Sequence, residues 1–129
     1  MNLEQHVCSL ELAKRLNELG VKQESYLWWL FWDDHNGEGE RAAIVHDRGR
    51  ADVWEITERD KVGAIVSAFT VAELGEMLPE SAKSMKSSQN VADERWLSYC
   101  VGHDRIFYAD TEADARAKML IYLIENKLA

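Results

Sequence analysis

Tyr26-Leu27-Trp28-Trp29-Leu30-Phe31-Trp32 is the run on which the fold turns. Aromatic side chains suit a pleated surface, and a strand that is apolar on both sides is one covered on both sides. Trp28 and Trp29 then point to opposite faces, which makes one of the two the better candidate for an exposed contact. Asp33 to Glu40 (DDHNGEGE) follows as a turn by composition. Ala42–His46 and Ala51–Thr57 read as two strands around the turn Asp47-Arg48-Gly49-Arg50, and Val62–Phe69 is a further β-like run.

Upstream, Leu12, Ala13, Leu16 and Leu19 recur at helical spacing between charged residues. They predict an amphipathic helix from about Ser9, a candidate N-cap, to Leu19, with Gly20 in the terminating C′ position. Downstream, Thr70-Val71-Ala72-Glu73 is a capping box, T-x-x-E, that opens a short helix ended by Pro79. The Ser-, Lys- and Asn-rich stretch over 80–92 reads as a long mobile loop. Arg95–Val101 and Arg105–Ala109 form a hairpin across Gly102-His103-Asp104. A last helix is capped by Thr111 with Asp114 in the box position and runs to about Lys127. It is apolar all round at Met119–Ile124, the pattern of a helix packed deep or used in an interface. The expectation is a single α+β domain over residues 1–129. An antiparallel sheet of about four to five strands and three helices would follow the order α-β-β-β-α-β-β-α.

The chain has 129 residues, enough for one ordinary core, and no apolar run approaches the roughly 20 residues of a membrane span. Without a secretory h-region the expected address is cytoplasmic, where Cys8 and Cys100 would stay reduced and act as small apolar fillers. Lys and Arg number 15 against 23 Asp and Glu, a formal net charge of −8. That balance argues against general nucleic-acid binding, which needs a basic face. A nucleic-acid mimic would instead need its carboxylates gathered on one face.

Motifs that carry chemistry are missing. His46-Asp47 and His103-Asp104 resemble the metal-binding pair of HD phosphohydrolases, but both fall at strand ends or turns, where Asp serves local hydrogen bonds. His6-x-Cys8 with Cys100 and His103 lacks the paired spacings of a zinc site, and Asp34–Gly39 is out of register for an EF-hand loop. Ser67, Ser98 and Cys100 sit in no nucleophile motif, and there is no Walker A loop or G-x-G-x-x-G. No catalytic residue, metal ligand or cofactor is therefore expected.

Five tryptophans are the unusual feature. Core packing is their ordinary role. As a binding surface, Trp28, Trp29, Trp32, Trp54 and Trp96 could line a groove for a base, a sugar or a peptide proline, the first four being the favoured contacts, with Arg48 and Arg50 of the local basic cluster Arg41, Arg48 and Arg50.

Leu10–Ser25, Ser67–Pro79 and Ala109–Leu123 resemble a group of small uncharacterised proteins of bacterial and prophage genomes. The resemblance covers the three helices and transfers no catalytic residue. It implies an accessory role in a bacterium or its phage. The leading expectation is a non-enzymatic protein acting through a protein partner, a homodimer being one form of it. A small ligand-binding domain or enzyme with a Trp-lined pocket is the alternative.

Overall fold

The computed structural model describes residues 3–33, 40–46, 64–87 and 95–128. Among them the order is a 3-10 turn (Leu3–Gln5), α1 (Leu10–Glu18), β1 (Leu27–Asp33), β2 (Glu40–Val45), β3 (Ala64–Ala68), α2 (Val71–Met77), β4 (Ala82–Ser87), β5 (Arg95–Cys100), β6 (Ile106–Ala109) and α3 (Glu112–Glu125). The fold is α+β with three helices, as read from the sequence. The strands, however, form two antiparallel sheets of three, ordered β2-β1-β3 and β4-β5-β6, instead of one sheet of four to five. The extra strand is β4, which occupies much of the stretch read as a loop over 80–92. The strand expected over 51–57 lies outside the described residues.

Leu27, Trp29 and Phe31 of β1 share a face with Val66 and Ala68 of β3 and with Ile44 of β2, and this face packs into the first core with Leu16, Phe69, Leu74 and Leu120. Trp28 and Leu30 are buried on the opposite face, so β1 is covered on both sides. In the second sheet Ala82, Cys100 and Phe107 face inward and meet Met119 and Leu123 in a second cluster. Helix α3 stands between the two. It gives Ala113, Ala117 and Leu120 to the first cluster and Met119 and Leu123 to the second, which explains why no clean polar stripe runs along it. It also touches α1, α2 and every strand of the second sheet.

The helix ends follow local chemistry. Helix α1 closes in a Schellman motif: Val21 N–H donates to Leu16 O, Gly20 N–H donates to Asn17 O, and Gly20 takes the required positive φ of 88°. The Thr70–Glu73 capping box is complete in both directions. Ser9 holds the N-cap position of α1, yet its side chain makes no capping hydrogen bond. No helix among the described residues is long and apolar enough to cross a membrane.

Candidate functional site

Trp28 and Trp29 of β1 are structural anchors. Trp28 and Trp29 are only 8% and 7% exposed, so neither offers the free contact surface that alternation suggested for one of them. The Trp29 indole Nε1–H donates to the Cys8 carbonyl at 2.8 Å in a buried hydrogen bond. Trp32 pairs with Arg41 in the β1–β2 register. Arg48, Arg50 and Trp54 lie outside the described residues.

The segment His6–Ser9 explains that hydrogen bond. Val71 N–H donates to His6 O and Cys8 N–H to Phe69 O, and Val7 bridges Thr70. Ser9 N–H donates to the Asp114 carboxylate at 2.6 Å. A short extended piece near the N-terminus thus ties β1, the start of α2 and the start of α3. Burial pushes the Cys8 thiol up to about 12, with the nearby Asp114 and Glu73 charges adding to it against opposing backbone hydrogen bonds. Such a thiol is no nucleophile at neutral pH. Cys8 and Cys100 are both buried and free.

Ser67 and Ser98 are also closed off, their hydroxyls fully buried without a hydrogen-bond partner among the described residues. His6 and His46 are exposed and His103 is half-buried. His103-Asp104 follows the turn in which His103 N–H donates to Cys100 O, with Gly102 at a φ of 91°. Among the described residues no three His, Cys, Asp or Glu side chains gather as metal ligands do.

The second sheet presents a different surface. Register places Met85, Leu97 and Tyr108 in one cross-strand row and Lys83, Tyr99 and Ile106 in the next, all on the face turned away from α3. Met85 is 52% exposed, Ile106 51% and Tyr108 48%. Antiparallel sheets commonly leave one face to water, but that face is then usually polar. Here it is apolar, with Lys83 and Arg95 as its charged positions and no acidic residue among those named. Val101 adds another exposed apolar side chain at the end of β5.

The terminal strands of this sheet are less open than its face. Lys118 Nζ donates to the Tyr108 carbonyl at 2.7 Å, occupying an acceptor of β6. Lys83 and Lys86 stand on β4, and lysines on a terminal strand discourage pairing with another chain. Ser84 of β4 is held from behind: its hydroxyl donates to Glu112 and accepts from Arg116, whose Nη1 also donates to Val71 O. The sequence marks Ile106 and Tyr108 as alternating with Phe107 and Ala109. Met85 was concealed by reading its segment as a loop.

No protein-family model matches the chain, and no curated protein or solved structure shows significant similarity to it.

Proposed function

We infer that this protein works by binding another protein rather than by catalysis, and that it does so with the outer face of β4-β5-β6. The observation that carries this reading is the half-exposed set Met85, Ile106 and Tyr108 on the two outer strands β4 and β6, with Leu97 and Tyr99 of β5 between them on the same face. Grouped apolar side chains on a soluble surface are favourable to bury against a partner, and aromatic and Met side chains are enriched at interface centres. Lys83 and Lys86 on β4, and the Lys118 hydrogen bond to the Tyr108 carbonyl of β6, favour docking across the face over addition of a strand at an edge.

The simplest partner is a second copy of the chain, giving a homodimer through an isologous contact. An accessory role of bacterial or prophage type is in keeping with a small chain that offers a docking face. The Trp-lined pocket gains no support from Trp28 and Trp29, whose rings are buried in the fold. Light scattering after gel filtration, over a wide range of protein concentration, tests the dimer. The dimer should dissociate in a Tyr108→Glu, Ile106→Lys variant that keeps its circular dichroism and melting temperature. A strict monomer throughout removes self-association.

A further inference from the structure

A second surface, away from the outer sheet face, has the makings of a small-molecule site. Helices α1 and α3 and strand β6 enclose an open groove of about 690 Å³, whose walls are mostly apolar. Leu12, Ile121, Phe107 and Tyr122 supply those walls.

The charges on the groove are unequal in their engagements. Arg15 is held by Glu125 at 2.8 Å and Glu18 at 3.2 Å. Lys14 lies 4.3 Å from the centre of the Phe31 ring, and Lys118 donates to the Tyr108 carbonyl. Arg105 differs. Its guanidinium carbon lies 5.9 Å from the Phe107 ring centre and 5.8 Å from that of Tyr122, and no carboxylate pairs with it among the described residues. Two rings therefore orient a guanidinium whose hydrogen-bonding fork remains available beside an apolar floor.

We propose that this groove binds an organic monoanion, a carboxylate carrying an apolar chain. The carboxylate pairs with Arg105 while the chain lies on Leu12, Ile121 and the Tyr122 ring. A guanidinium fork matches a carboxylate in two parallel hydrogen bonds, and apolar walls reward a hydrocarbon body. Glu11, Glu18 and Glu125 on the same walls disfavour polyanions such as nucleotides, which selects a single negative charge.

The test is titration of the full chain with decanoate, decanol and acetate, followed by calorimetry and by methyl NMR shifts. Decanoate should bind and move the Leu12 and Ile121 methyl signals, with decanol and acetate at least tenfold weaker. Arg105→Ala should weaken decanoate about tenfold or more, and Arg105→Lys should weaken it less. The proposal is overturned by no decanoate binding, by decanol binding as tightly as decanoate, by unchanged affinity in Arg105→Ala, or by shifts confined to other parts of the protein. Because Arg105 is exposed, its variants should keep the wild-type melting temperature.

Discussion

Asp114 is joined to Ser9 by a 2.6 Å hydrogen bond across 105 residues of chain, the carboxylate accepting the Ser9 backbone N–H. Asp114 occupies the third position of α3, where a capping box would turn its carboxylate back onto the Thr111 N–H. Thr111 makes its half, accepting from Asp114 N–H, but the acid is spent on the start of α1 instead. A local helix signal has become a long-range tie.

Burial raises the Asp114 carboxyl above its usual range, with Asp110 adding to this, while the Ser9 hydrogen bonds and Lys118 oppose it. A carboxyl raised on folding binds its proton more tightly in the folded state. Its contribution to stability is thus greatest below the unfolded pKa and falls as pH rises through the folded one. Asp114→Asn keeps an acceptor for Ser9 and removes the ionisation. Urea unfolding of both proteins from pH 3.5 to 7 should show the balance moving toward the Asn variant as pH rises. A balance moving the other way contradicts the assignment. Asp114→Ala, which leaves the Ser9 N–H without this acceptor, should cost about 1–3 kcal/mol.

Trp29→Phe should cost roughly 2 kcal/mol in chemical denaturation, because it empties part of a packed core and strips the Cys8 carbonyl of a buried donor. A change within about 0.5 kcal/mol would show the indole to be dispensable to the fold and would reopen its reading as a ligand contact.

How much of this was legible follows from which forces are local. The glycine after α1, the Thr70 box and the aromatic run of β1 each announce themselves within a few residues, and each stands where the spacing put it. Strand β4 does not. Ala82-Lys83-Ser84-Met85-Lys86-Ser87 has no β-branched or aromatic residue, and it is a strand because β5 pairs with it and Glu112 and Arg116 hold Ser84. The split into two sheets was hidden for a related reason. Met119–Ile124 reads as apolar all round, but only the fold shows that successive sides face separate cores. The outer sheet face became visible only once β4 was placed.

Cys8 bears on alkaline stability. Its thiol, held near 12 by burial, stays protonated in the folded state, whereas an unfolded thiol ionises around pH 8.5–9. The unfolded chain is therefore favoured as pH climbs above that point, by up to about tenfold in the folding equilibrium per pH unit. Comparing wild type with Cys8→Ala between pH 8 and 10.5 isolates the effect from other groups. The wild type should lose stability faster, and parallel curves would contradict a deeply buried thiol.

Arg116 couples α2, α3 and β4 through Val71 O, Glu112 and Ser84. Its ion pair with Glu112 is about three-quarters buried on each side. Arg116→Ala should cost about 2 kcal/mol, less than a fully buried pair because water still screens part of it. Hydrogen exchange gives the sharper readout: β4 amides should lose protection before those of β1. Equal loss in both sheets would mean that Arg116 adds general stability without specifically fastening β4.

Lys127 supplies the complementary case of a stabilising change. Helix α3 ends in the same hydrogen-bond pattern as α1, with Leu128 N–H donating to Leu123 O and Lys127 N–H to Ile124 O. The position that glycine fills after α1 is here filled by lysine at a φ of 58°. A side chain in the left-handed region costs on the order of 1–2 kcal/mol, part of which glycine returns through the greater freedom of its unfolded chain. Lys127→Gly should therefore raise stability by roughly 0.5–1 kcal/mol in thermal or urea unfolding, without altering the groove or the outer sheet face. A loss of stability would mean that the lysine side chain contributes more at this helix end than its backbone strain costs.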